Sequence, residues 1–396
     1  MIAFYLSPIY IGLHILLLIW LVSYLRKVCP FFRHVLTTLF VILLYGLFFA
    51  MPGIGFYARG SAYERLFCRL GNYALGISLY ELLVMIVYGV IRFIKLHRHL
   101  ADVDHLKSVK VVRRSGLIAL IVIALTCSYG IFNAHHLQTT SYKVTIKKQV
   151  ARFNHLKICL VSDLHLGYNY GVKEVENLVN TINAGHPDMV VFAGDIFDNE
   201  YRALDRPDLM IKAFQNISSK YGCYGVYGNH DIDEKIFCGF TFQSKKKPVS
   251  DPRMDAFLKQ AKIHLLRDQG TKIANSFYLF GRADYMRVGR GISKRKTPRE
   301  ITAKMDQNKP IIVIDHEPRE LSSLAKAGVD LDLSGHTHNG QLFPGNIIVS
   351  MMYENVYGYL RKDNMHSIVT SGAGCFGPYM RIGAKSEICM INVNFQ

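Results

Sequence analysis

Acidic residues are nearly missing from the first third of this 396-residue chain. Only Glu64, Glu81, Asp102 and Asp104 precede residue 139, against 13 Lys and Arg. The chain also lacks any C-x-x-C pair among its eight cysteines, which excludes a zinc ribbon and a dithiol motif. Cys159 falls inside an apolar run, so buried free thiols are expected. No internal repeat or low-complexity tract is present. No basic stretch precedes the first apolar run, so a cleaved signal peptide is not expected.

What the first third does hold is apolar sequence. Ile2–Leu25, Val35–Ala50, Gly71–Ile91 and Gly116–Ala134 approach or exceed the ~20 residues that a helix needs to cross a bilayer. Together with a net charge of +17, they predict a membrane region with four transmembrane helices over residues 1–137. Loop Arg92–Arg114 carries seven basic residues and Arg26–Arg33 three. Both are expected to face the cytoplasm, which puts everything after the fourth span on the extracytoplasmic side. Arg59, Arg65 and Arg69, in the second loop, run against that topology. Glu81, in mid-span, is read as the carboxyl of an inter-helix hydrogen bond or as a functional intramembrane acid.

Beyond residue 138 the balance is 34 basic to 26 acidic residues, the mixture of a folded soluble domain. Residues 138–154 form a connector whose alternation at Tyr142, Val144 and Ile146 predicts an edge strand. A domain over residues 155–396 then alternates strand and helix. Strands are expected at Ile158–Val161, Met189–Ala193, Cys223–Tyr227, Tyr278–Phe280, Ile311–Ile314, Leu331–Leu333, Ile347–Ser350, Ser367–Thr370 and Ile388–Val393. Helices are expected at Val172–Ile182, Leu209–Ile217 and Pro318–Ala327. This order predicts an α/β sheet layered by helices.

Five motifs follow strand ends in turn: D-L-H (Asp163, His165), G-D-I-F-D (Gly194–Asp198), G-N-H-D (Gly228–Asp231), D-H-E (His316) and G-H-T-H (Gly335–His338). A lone Asp at a strand end is usually a cap and a lone His usually a satisfied side chain. Five histidines with aspartates and an asparagine along one sheet rim are poorly explained by chance. Imidazole with carboxylate suits Mn, Fe or Zn better than Mg or Ca. The physical reading is a pair of divalent cations bridged by a carboxylate such as Asp195. A water or hydroxide between the cations would have a lowered pKa and could attack a phosphoryl group in line. His230, beside Asn229, could protonate the leaving oxygen.

The ordered set D-x-H, G-D-x-x-D, G-N-H-D, H and G-H-x-H resembles the calcineurin-like metallophosphoesterases over residues 152–394. L-K-I-C-L-V-S-D-L-H-L-G, S-G-H-T-H-N-G-Q-L-F-P and the C-terminal S-G-A-G, R-I-G and E-I resemble the membrane-associated YkuE/YaeI-like subgroup, which usually has Gly at the position of Asn339. The resemblance implies a four-layer α/β/β/α sandwich and two divalent metal ions, Mn favoured. One would sit on Asp163, His165, Asp195 and His338, the other on Asp195, Asn229, His316 and His336, with His230 as the phosphate-contacting acid. Asp198 and Asp231 are left between orienting a ligand histidine and capping a turn.

Two basic runs remain, Lys245–Lys247 and Arg287–Arg299. They are read either as solvated loop charge or as contacts to anionic lipid or substrate. No aromatic interleaving accompanies them, so nucleic acid is not expected as a partner. The function expected is a membrane-anchored phosphoesterase acting on a lipid-linked or envelope phosphomonoester, phosphodiester or pyrophosphate. The alternatives are a non-catalytic metal-binding membrane protein and a cytoplasm-facing hydrolase of nucleotides or nucleotide-sugar lipids.

Overall fold

The structure, a computed structural model, describes residues 2–150, 152–237, 240–241 and 249–396. Lys245–Lys247 lie outside the described residues. The chain divides into two compact units, one formed mainly by residues up to 132 and the other by most of the remainder.

The first unit is built on α1 (Ile2–Val28), α2 (Val35–Tyr57), α3 (Glu64–His97), the short α4 (Val103–Lys107) and α5 (Val109–His135). α1, α2, α3 and α5 are long and apolar enough to cross a membrane. Each runs past its apolar core, because a helix goes on satisfying its own backbone beyond the hydrocarbon layer. Residues 92–114, expected as a loop, are therefore mostly helical. Small residues set the α2–α3 contact. A Cβ on Gly71 would sit 2.8 Å from Pro52 Cα, so the backbones approach as only glycine allows. Tyr45 OH donates to Glu81 at 3.3 Å, and His14 lies 2.9 Å from both Tyr45 OH and Ser78 Oγ. Glu81 thus makes the inter-helix hydrogen bond that was one of its two expected roles.

The second unit contains β1 (Leu137–Ile146), β2 (His155–Val161), α6 (Val172–Ala184), β3 (Met189–Ala193), α7 (Pro207–Gln215) and β4 (Cys223–Val226). The hairpin β5 (Ile236–Phe237) and β6 (Phe240–Thr241) groups with the first unit. Then follow α8 (Pro252–Gln260), β7 (Ile263–Leu265), β8 (Gln269–Ile273), β9 (Phe277–Gly281), α9 (Pro298–Thr302), β10 (Ile311–Ile314), α10 (Leu321–Lys326) and β11 (Leu331–Ser334). The chain closes with α11 (Gly345–Ser350), β12 (Gly358–Lys362), β13 (Met365–Val369) and β14 (Ser386–Phe395).

These strands make two six-stranded mixed sheets, ordered β1-β14-β2-β3-β4-β7 and β12-β13-β11-β10-β9-β8. The middle of each is parallel and reads as continuous apolar runs, as strands covered on both faces must. Between the sheets lies one core that includes Ile158, Leu160, Val191, Ile312, Leu333 and Ile391. Outside the first sheet, Phe192 meets Phe214 of α7, which meets Phe257 of α8. Outside the second, Ile301, Leu321 and Leu324 of α9 and α10 cover Ile311 and Val313. The result is the layered α/β architecture expected from the sequence. One expected strand takes another form. Ile347–Ser350, read as a strand for its β-branched run, forms α11, in which Ile347 N–H donates to Pro344 and Met351 N–H to Ile348 within the turn.

Candidate metal centre

Parallel pairing brings the ends of β2, β3 and β4 side by side, and those of β10 and β11 likewise. The five motifs leave the sheets at these ends. Asp163, His165, Asp195, His336 and His338 all have φ between 48° and 69°. The left-handed turn is uncommon outside glycine, and such strain gathers where a site imposes it. Gly228 is required by close approach, since a Cβ there would collide with Asp195 Oδ1.

Two groups of ligand atoms result. In the first, His165 Nε2 and His338 Nε2 lie 3.1 Å apart, and His338 Nε2 is 3.6 Å from Asp163 Oδ1. In the second, His316 Nε2 is 3.0 Å from Asn229 Oδ1. His336 Nδ1 is 2.9 Å from the same oxygen and 3.1 Å from His316 Nε2. Asp195 stands between them, its Oδ2 3.7 Å from His165 Nε2 and 3.2 Å from His316 Nε2. Its Oδ1 accepts the His230 backbone N–H at 2.7 Å. All seven residues expected as ligands therefore converge.

Imidazole nitrogens packed this closely, beside buried carboxylates, fit divalent cations. His165 Nδ1 and Asp198 Oδ1 are buried 3.6 Å apart, and neither has a hydrogen-bond partner. Burial, then the neighbouring His165, holds the pKa of His338 well below the usual imidazole value. Burial, then His316, lowers His336 to about 3. Both rings are neutral at physiological pH, the form a metal ligand needs. Burial works against His316, but Asp195 outweighs it and raises His316 well above the usual value.

Several residues not expected as functional hold this arrangement. His316 Nδ1 donates to Ala193 O at 2.8 Å, which fixes the ring so that Nε2 points at Asn229 and Asp195. Asn199 Oδ1 accepts from His230 Nδ1 at 2.7 Å, and Asn199 N–H donates to His230 O at 3.0 Å. The buried Glu317 lies 3.8 Å from His336 Nε2. Its place in D-H-E, next to His316, was the one signal in the sequence. Asp198 lies against His165, whereas Asp231 caps a turn by accepting Phe197 and Gly228 N–H at 2.7 Å each. Phe376 walls the site, its ring 4.6 Å from that of His230.

Most of the run Arg287–Arg299 serves the fold, which neither expected reading anticipated. Arg295 pairs with the buried Asp315, Arg287 with Glu234, and Lys296 with Asp268 O. Arg290 donates to the carbonyls of Gly228 and Asp231, on either side of Asn229 and His230.

Residues 156–340 match the calcineurin-like phosphoesterase family. The chain is 28% identical over 277 residues to an uncharacterised metallophosphoesterase of Campylobacter jejuni, an alignment covering 70% of this chain and 69% of that one. It is 27% identical over 293 residues to a transmembrane protein with metallophosphoesterase domain of Danio rerio, covering 70% and 62%. It is 28% identical over 288 residues to the uncharacterised metallophosphoesterase YkuE of Bacillus subtilis, covering 69% and 93%. The chain thus spans less than two thirds of the Danio rerio relative.

Proposed function

We propose that this chain, which carries a calcineurin-like metallophosphoesterase domain and is a metal-dependent phosphoesterase, is a multi-pass membrane enzyme acting on a lipid-linked or envelope phosphate ester or pyrophosphate. The observation that carries this reading is Asp195 Oδ2, within 3.7 Å of imidazole nitrogens from both ligand groups. One divalent cation is assigned to Asp163, His165, Asp195 and His338, the other to Asp195, Asn229, His316 and His336. Mn is favoured over Fe or Zn. Such a pair supplies Lewis acidity to the phosphoryl oxygens and lowers the pKa of a water.

The chain's own groups do the rest. Asp195 faces both groups with one oxygen while its other is held by the His230 backbone. Asn199 engages Nδ1 of His230, leaving Nε2 to carry the proton that the leaving oxygen takes. Burial lowers the pKa of His230, which makes its charged form the stronger acid. The basic residues near Arg26 and Arg92 favour an extracytoplasmic catalytic domain. Protease accessibility in intact cells against inverted vesicles tests that side.

The full chain loaded with Mn should hydrolyse aryl phosphate esters. Asp195→Asn should lower the rate by about 10³-fold and bind less than its full metal complement. An unchanged rate in Asp195→Asn would overturn the assignment.

A further inference from the structure

Beyond α5, nine large apolar side chains are exposed among the described residues, and five of them fall within residues 343–352. Ile347, Ile348, Met351 and Met352 are 48%, 59%, 77% and 58% exposed. Singly exposed apolar residues need no explanation, but a run of this kind beside a functional site does.

The segment is tied to the metal centre at both ends. At one end, the Gln341 side chain donates to Phe376 O at 2.9 Å and accepts Phe376 N–H at 3.0 Å, and Phe376 lies against His230. At the other, the Tyr353 ring is 5.8 Å from that of His336 and 4.7 Å from the Arg319 guanidinium.

It is also tied to the end of a membrane helix. Asn133, in the last turn of α5, donates to the carbonyls of Arg381 and Ala384 at 3.0 and 2.8 Å. Residues 381–383 pair with 341–343, Ile382 N–H donating to Gln341 O and Phe343 N–H to Ile382 O. All these residues belong to the same compact unit. The apolar stretch of α5, Gly116–Ala134, is about 28 Å long at 1.5 Å per residue, close to the ~30 Å hydrocarbon thickness. Asn133 lies at the end of this stretch, which is long and apolar enough to cross a membrane. The tyrosine and arginine beside the patch are residues that favour the interface between membrane and water.

We propose that Ile347, Ile348, Met351 and Met352 enter the boundary between headgroups and acyl chains where α5 leaves the bilayer, so that the metal centre takes phosphate esters of amphiphiles resident in that bilayer. The substrate half of this proposal rests on the phosphoesterase reading above; the insertion half does not.

The chain has one tryptophan, Trp20, which allows a direct test on the full-length protein in phosphatidylcholine vesicles. With Trp20→Phe and Met351→Trp, the new indole should emit at short wavelength, be quenched by acyl-brominated phosphatidylcholine and resist aqueous iodide. Quenching by iodide but not by bromolipid overturns the proposal. Protection from both quenchers means that a second copy or another protein covers the patch, and also overturns it. In a second arm, wild type should prefer hexadecyl 4-nitrophenyl phosphate in vesicles over the soluble methyl ester by roughly tenfold in kcat/KM, since remote binding energy is used at the reacting centre. The triple variant Ile347→Ser/Ile348→Ser/Met351→Ser should lose that preference and keep its rate on the methyl ester. No preference in wild type, or an undiminished one in the variant, overturns the substrate half. Hydrolysis of neither ester points instead to failure of the phosphoesterase reading, while the tryptophan still reports on insertion.

Discussion

On the two-cation assignment proposed above, Arg290 should control one cation more than the other. Its guanidinium donates to Gly228 O at 2.5 Å, to Asp231 O at 3.0 Å and to Arg287 O at 3.2 Å, and it lies 5.2 Å from the centre of the Tyr227 ring. The first two bonds brace the loop carrying Asn229 and His230, and hydrogen bonds to a charged group contribute about 1.5–3 kcal/mol each. Arg290 also lines a cavity of about 450 Å³. In Arg290→Ala, water entering there can satisfy the freed carbonyls, so the net loosening of the loop should be only about 2–3 kcal/mol. Transferred to the Asn229 ligand, that weakens one Mn equivalent by roughly 30- to 150-fold. The equivalent on Asp163, His165 and His338 should weaken much less, since only its Asp195 ligand touches that loop. Arg290→Lys keeps the charge but not the fork that reaches two carbonyls, and should fall between. Calorimetric titration of the detergent-solubilised chain with Mn reads both equivalents. Wild-type binding of both, or equal weakening of both, would refute the reasoning.

Two further outcomes follow from buried polar groups. Asn199→Ala should lower kcat by about 10²-fold at unchanged metal content, because His230 Nδ1 loses its side-chain acceptor while the backbone bond to His230 O is kept. Asn199→Asp keeps an acceptor and should recover much of that rate with the pH profile moved upward; equal loss in both variants would reject a positioning role. Asp332 is fully buried, and burial, then the charge of Asp315, pushes its pKa up to about 7. Its neutral form is the folded form, so its contribution to stability is full below the unfolded value near 4 and is lost as pH rises toward 7. The loss is about 1.4 kcal/mol per pH unit. Asp332→Asn should remove that slope in thermal unfolding between pH 4.5 and 7.5, and parallel profiles for the two proteins would contradict it.

Much of the fold could be read directly because its signals are local. The runs at Met189–Ala193 and Ile311–Ile314 are uninterrupted and β-branched, and their bounds coincide with the observed strands. Helix α8 went unread because its apolar residues, Met254, Phe257 and Leu258, make one short stripe in a polar segment. Helix α11 was misread because Ile347 to Val349 carry strand propensity, while the backbone closes its hydrogen bonds within a helical turn. The basic residues Arg287, Arg290 and Arg295 looked like surface charge, since nothing adjacent in sequence indicates that Glu234, Gly228 O and Asp315 receive them.

The sequence alone determined which residues would stand at the strand ends. An apolar run that breaks into Asp, Asn or His is a local pattern, and five such patterns put the candidate ligands in one row, while the family resemblance divided them between two cations. Tertiary structure decided which of them meet. His165 reaches His338 across 173 residues, one oxygen of Asp195 faces both groups, and Arg290 braces a loop about 60 residues before it. It also left Ile347 to Met352 exposed beside residues bonded to the end of α5. Such pairings depend on how distant segments pack, and no local pattern in the chain encodes them.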